Sequence, residues 1–301
     1  MSIAATPIDI LRFLAERDAG TVLATLVAVH GSASRAVGSQ MAVAADGSSR
    51  GSFSGGCIEA AVIAEALAVL AEGVGRTVRY GAGSPYIDVK LPCGGGIDLL
   101  FTPNPSLAAV NATLAALDRR ERVVVAISEQ AFADTEPTGF TLTYHPPMRI
   151  IALGQGEDLS AFVQLAHGFG AQAIAIAPAE QVAGLAALPG VPLIPAGSRT
   201  RLPDLATDAW TAIVFLFHDR DWEEFLLPQA LTLPGFYHGA IGSPRTQAVR
   251  RAALEASEIA ADALAKLRMK VGLIPSTRDP ATLALSILAE VVADYRALVA
   301  R

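Results

Sequence analysis

The chain has 301 residues, 52% hydrophobic and 17% charged, with 23 basic and 29 acidic side chains and a formal net charge of −6. That length holds one large domain or two of ordinary size and buries substantial cores, which excludes intrinsic disorder. The acidic balance argues against a general nucleic-acid coat, and two cysteines are too few for a disulfide framework.

Residues 7–18 read as an amphipathic helix, and Thr21–Val29 as a buried strand that ends at a His-Gly-Ser-Ala-Ser loop. Met41–Ala45 and Arg50–Ser54 flank the turn dipeptide Asp46-Gly47 and form a hairpin. Cys57–Glu72 has Ile58, Val62, Ile63, Ala66, Leu67 and Leu70 at helical spacing, with Gly73 as a stop. Strands are expected at Thr77–Tyr80, Ile97–Phe101, Val123–Ser128 and Phe140–Tyr144, so this half is an α+β domain with a mixed sheet.

His145-Pro146-Pro147 marks a boundary between domains at 1–145 and 146–301, since paired prolines stiffen a linker and interrupt strand pairing. Beyond it, strands at Arg149–Leu153, Ala171–Ala177, Ala212–Phe217 and Phe236–Ile241 alternate with helices at Leu159–His167 and Trp222–Leu231. Such alternation implies a parallel, Rossmann-like sheet. A last helix runs from Pro280 to about Ala300, with Leu288, Val291, Val292 and Tyr295 on one apolar face that would also serve a homodimer. Mean hydropathy is positive. Even so, no stretch supplies the ~20 apolar residues of a spanning helix. The start of the chain lacks a basic n-region. The expectation is a soluble, cytoplasmic protein with no membrane partner.

Four loops carry residues suited to chemistry. In the first, Ser32, Ser34, Arg35 and Gly38 follow a strand; backbone amides and one guanidinium there suit an anion, although a plain connection would read the same way. In the second, Gly55 and Gly56 precede Cys57 at a helix start, where glycines permit close approach and the helix terminus favours anions and thiolate. In the third, Cys93 precedes Gly94 and Gly95. Both cysteines thus adjoin glycine pairs, which points to a soft metal or sulfur chemistry rather than structural zinc, with small buried cysteines as the bland alternative.

In the fourth, Gly154-Gln155-Gly156 between a strand and a helix matches the frame of a dinucleotide-binding unit. Leu159 takes the place of the third glycine, Glu157 and Asp158 would repel a pyrophosphate, and Pro178-Ala179 stand where a ribose-binding acid belongs. These departures weigh against NAD(P). A later loop places Gly242 and Ser243 before Pro244 and Arg245 at a helix start, a phosphate cradle or simply a capped helix. The five histidines show no metal-ligand spacing.

Taken in order, the segments GSASRAVGSQM, SGGCIEA, LPCGGGID, IIALGQG, YHGAIGSPR and DPATLALSILAEVV resemble the XdhC/CoxI family of xanthine dehydrogenase accessory proteins. The resemblance implies a chaperone for the molybdenum cofactor (molybdopterin). Such a protein binds the cofactor, protects it during sulfuration by a cysteine desulfurase, and delivers it to a molybdenum hydroxylase client. It is an accessory protein rather than an enzyme that turns over a substrate. The implied cofactor contacts are Ser32, Arg35, Gly55, Gly56, Cys57, Cys93, Gly94 and Gly95, followed by Gly154, Gly156, Gly242, Ser243 and Arg245. Cys57 is the first choice for contact with molybdenum or its sulfur, and Cys93 the second. This chain departs from the family in its GQGEDL segment, in Pro178 and in Pro244 before Arg245. The competing expectation is an NAD(P)-dependent oxidoreductase using the Rossmann-like domain.

Overall fold

The computed structural model describes residues 5–17, 19–56, 58–84, 94–133, 139–185, 188–218, 220–257, 259–275 and 277–300. Cys57 and Cys93 lie outside the described residues. Two compact units are present, Ala4–Pro146 and Pro147–Arg301.

The first unit opens with α1 (Pro7–Ala15), started by a reciprocal capping box between Thr6 and Asp9. There follow β1 (Thr21–His30), β2 (Gln40–Ala44), β3 (Ser49–Gly51), α2 (Glu59–Glu72), β4 (Arg76–Gly81) and β5 (Gly96–Pro103). The five strands form one sheet in the order β3-β2-β1-β5-β4. Every described pairing in it is antiparallel, where the sequence suggested mixed directions. The reason is topological. α2 carries the chain from β3 at one edge to β4 at the other, so these two like-directed strands never become neighbours.

The chain continues through α3 (Leu107–Asp118), β6 (Val123–Ile127), β7 (Phe132–Ala133) and β8 (Phe140–Tyr144), the last three forming a small second sheet. One face of the large sheet packs on Val62, Ala66 and Val69 of α2. The other packs on Leu11 and Leu14 of α1, Val110 and Leu117 of α3, and Val125 and Ile127 of the small sheet.

The second unit comprises β9 (Arg149–Gly154), α4 (Gly156–Phe169), β10 (Gln172–Pro178), a 3-10 turn at Ala179–Leu185, β11 (Leu193–Ala196) and β12 (Thr211–Leu216). It goes on through α5 (Arg220–Leu231), β13 (Tyr237–Ala240), α6 (Pro244–Ala256), α7 (Ala261–Ala265), β14 (Leu267–Arg268) and α8 (Pro280–Val299). The sheet order is β11-β10-β9-β12-β13-β14, parallel throughout. That is the doubly wound Rossmann order, with its switch point between β9 and β12. α4 and α8 cover one face, and α5, α6 and α7 the other. Ile287, Leu288 and Val291 of α8 are buried within this unit, so the apolar face that favoured a homodimer already has an internal partner. No helix among the described residues is long and apolar enough to cross a membrane.

Candidate functional site

Strand register gathers three of the four loops. His30 and Gly81 both pair with Gly96, while Gln40 pairs with Thr25 and Gly51 with Met41. β1, β3 and β4 therefore end, and β2 and β5 begin, at one end of the first sheet. Segments 31–39, 52–58 and 82–95 all leave from that end. Arg35 Nη2 donates to Ser52 Oγ at 3.3 Å, joining the first two. Gly95 lies so close to the first loop that a Cβ there would sit 2.0 Å from the Ser32 carbonyl oxygen. Ser32, Arg35, Gly55, Gly56, Gly94 and Gly95 are thus brought to one place, all exposed except the buried Gly95. Cys57 and Cys93 fall outside the described residues, but their chain neighbours Gly56, Ile58 and Gly94 belong to this end.

The glycine loop before α2 is organised around Glu59. Its Oε1 accepts from the main-chain N–H groups of Phe53, Ser54 and Gly55 at 3.0, 2.8 and 3.2 Å. Oε2 accepts from the N–H groups of Gly56 and Ile58 at 2.7 and 3.3 Å and from the Ser54 hydroxyl at 2.7 Å. Partial burial opposes ionisation, but these bonds outweigh it and hold the carboxyl at about 2. The loop amides expected to face a ligand anion already hold the chain's own carboxylate. Glu59 stands in the first turn of α2, and its role depends on how the loop folds back onto it, which no local spacing announces.

A second charged cluster lies on the sheet face opposite α2. Arg79 grips Asp98 with both ends of its fork, Nε to Oδ1 at 2.6 Å and Nη2 to Oδ2 at 2.8 Å. His30 Nε2 stands 3.0 Å from Asp98 Oδ2 and 2.7 Å from Arg79 Nη2. These two contacts belong to different proton states, because Nε2 donates to the carboxylate but accepts from the guanidinium. Hydrogen bonds from Arg79, opposed by burial and aided by His30, hold the Asp98 carboxyl at about 2. The three residues come from separate strands, so no local spacing announced them.

In the second unit, Gly154, Gly156, Gly242 and Ser243 all lie at the carboxyl edge of the parallel sheet, where β9, β12 and β13 end. Gly154 is there for close approach: a Cβ would meet the Leu216 Cβ at 2.7 Å. Ser243 caps α6 by accepting from the Thr246 N–H at 3.2 Å. Arg245 is exposed. The arginine that sequence reading missed is Arg250, 4% exposed and paired to Glu223 at 2.6 Å.

Across the switch point, Asp158 of α4 accepts from His218 Nε2 at 2.7 Å. A dinucleotide pyrophosphate belongs at this helix terminus, and Glu157 and Asp158 place two acids in that first turn. Titration with NADH or NADPH, followed by nicotinamide fluorescence, is therefore expected to give no saturable binding in the micromolar range. Micromolar affinity would restore the oxidoreductase reading.

Comparison with known proteins matches both units. Residues 14–81 match the XdhC and CoxI family, and residues 150–291 match the XdhC Rossmann domain. A relative from Escherichia coli (strain K12), described as the molybdenum cofactor insertion chaperone PaoD, is 35% identical over 295 residues, spanning 94% of this chain and 86% of its own. The chain belongs to the XdhC and CoxI family. A crystal structure described as a xanthine dehydrogenase from Bacillus halodurans has the same fold. It gives a TM-score of 0.81 at 23% identity, over 99% of this chain and 96% of that one. In this member of the family the first matched segment contains the Ser32–Arg35 loop and the Glu59 nest, and the second contains the whole carboxyl edge of the parallel sheet.

Proposed function

We propose that this protein is a chaperone that binds the molybdenum cofactor, holds it for sulfuration and inserts it into a molybdenum hydroxylase such as a xanthine dehydrogenase. The convergence of three loops at one end of the first sheet carries this reading, and the named role of the Escherichia coli relative agrees with it. The cargo bears a phosphate and a metal dithiolene. Arg35 suits the phosphate: it is exposed, and among the described residues its guanidinium donates to the neutral Ser34 carbonyl at 3.4 Å and to the Ser52 hydroxyl. Ser32 is an exposed residue of the same loop. Cys57 and Cys93 are the soft ligands for molybdenum or its sulfur, with the carboxyl-edge residues Gly154, Gly156, Gly242, Ser243 and Arg245 as a second contact region. A cysteine desulfurase supplies the sulfur, and the units at 1–145 and 146–301 act as the two working domains.

The test is incubation with purified cofactor under anaerobic conditions, gel filtration, then pterin fluorescence and molybdenum quantitation. Wild type is expected to carry cofactor through the column. Cys57→Ala is expected to lose most of its molybdenum and Cys93→Ala a smaller share. The cysteine assignment fails if both variants retain wild-type amounts and still activate a client enzyme. The chaperone reading fails if wild type emerges without pterin.

A further inference from the structure

We propose that Glu59 is a positioning residue whose carboxylate is the resident anion of the nest formed by residues 53–56 and 58 and fixes the shape of the glycine loop that precedes Cys57. Six donors converge on one carboxylate, three on each oxygen. The loop is anchored at both ends by buried side chains, Phe53 at 2% exposure and Ile58 at 0%. Between those anchors, Gly55 and Gly56 sit at φ +75° and +125°, and a Cβ on either would meet no atom within 4 Å. Among the described residues, then, nothing stands where a side chain on either glycine would pack, and glycine pairs carry the most backbone freedom to lose. Among the described residues, the amides of Ser54, Gly55 and Gly56 all donate to Glu59. This one carboxylate does for the loop what packing does elsewhere.

Two consequences separate this role from the cradle expected of a glycine-rich loop. The loop is shaped before the cargo arrives, so binding does not have to order it. The amides of residues 53–56 are also spent internally, which leaves the cargo phosphate to side chains such as Arg35. The second consequence rests on the chaperone reading; the first does not.

The full-length protein tests both with the variants Glu59→Ala and Glu59→Asp. Hydrogen–deuterium exchange of the peptide covering residues 50–58 is read without cofactor. Glu59→Ala is expected to exchange roughly tenfold faster than wild type, with Glu59→Asp between them because its carboxylate falls one methylene short. Adding formate is expected to restore protection in Glu59→Ala and to leave wild type unchanged. A side chain that merely supported the fold would not be replaced by a free carboxylate. Unchanged exchange in Glu59→Ala, or faster exchange that formate does not reverse, overturns the proposal. Should Glu59→Ala fail to fold by circular dichroism, Glu59→Asp alone decides, and wild-type protection in it overturns the proposal.

A second arm repeats the cofactor retention assay. Glu59→Ala is expected to keep well under half of the wild-type pterin and to recover it with formate. Tighter retention by Glu59→Ala would show the cargo phosphate taking the nest, and would overturn the assignment of Glu59 as its resident anion. If wild type retains no pterin, the chaperone reading fails while the exchange measurements still decide the role of Glu59.

Discussion

Replacing Gly95 with alanine is expected to lower the stability of the first unit by about 3 kcal/mol, the upper range for forcing extra volume into a packed position. A Cβ at this position would lie 2.0 Å from the Ser32 carbonyl oxygen and 2.9 Å from that of His30. Both obstacles are main chain, so no rotamer change relieves them. The end of β1 would have to move, and with it the pairing of His30 with Gly96 and the bond from the Ala82 N–H to the Gly95 oxygen at 3.0 Å. His30 would in turn lose its place beside Asp98. Gly94 makes the contrast. It is exposed, sits at φ +70°, and among the described residues a Cβ there would meet nothing within 4 Å. Gly94→Ala should therefore cost only the left-handed backbone strain of about 1 kcal/mol. Urea unfolding of both variants decides the matter. Equal losses would refute the close-approach account, because the two glycines would then differ only in name.

That pair shows where sequence reading reaches its limit. Paired glycines beside Cys93 are visible in the sequence, and so is their permission for close approach. Which of the two is approached, and by what, depends on strand order, since the partner carbonyl at Ser32 lies 63 positions earlier in the chain. Some elements were legible locally, α2 from its helical spacing and β9 and β12 from unbroken apolar runs. Glu59–Glu72, Arg149–Gly154 and Thr211–Leu216 form within two residues of their expected limits. α3 escaped notice because Leu107–Asp118 is alanine-rich and buries Thr113 along with Val110, Ala116 and Leu117, which blurs the contrast between faces. The three loops could be recognised singly, but their meeting at one sheet end follows from the β3-β2-β1-β5-β4 order, which no local pattern encodes. Glu59 and the His30–Arg79–Asp98 cluster were missed for the same reason: each takes its meaning from main chain or side chains brought in by folding.

Arg250→Ala is expected to destabilise the second unit by about 3–5 kcal/mol, the range for stranding one member of a buried ion pair. Arg250 is 4% exposed and Glu223 5%. The guanidinium donates to Glu223 through Nη2 at 2.6 Å and Nε at 3.2 Å, and to the carbonyls of Ile241 and Ala240 at 2.6 and 3.3 Å. One side chain thus ties α5 to α6 and satisfies the end of β13, where the Gly242–Ser243 loop departs. Gly242 leaves room for it: a Cβ there would come within 3.3 Å of Arg250 Nη2. The loss should also depend on pH. Burial pushes the Glu223 carboxyl above its usual 4.5, and Arg250 opposes that push. Without Arg250, a folded-state value raised above the unfolded one means stability is retained below about 4.5 and lost as pH rises through the folded-state value. The deficit of Arg250→Ala relative to wild type should therefore be larger at pH 8 than at pH 5 in denaturant titrations. Glu223→Leu combined with Arg250→Met should recover most of the loss, because neither charge is then left alone. If that double variant is as unstable as Arg250→Ala, the bonds to the Ala240 and Ile241 carbonyls, rather than the ion pair, hold this edge of the sheet.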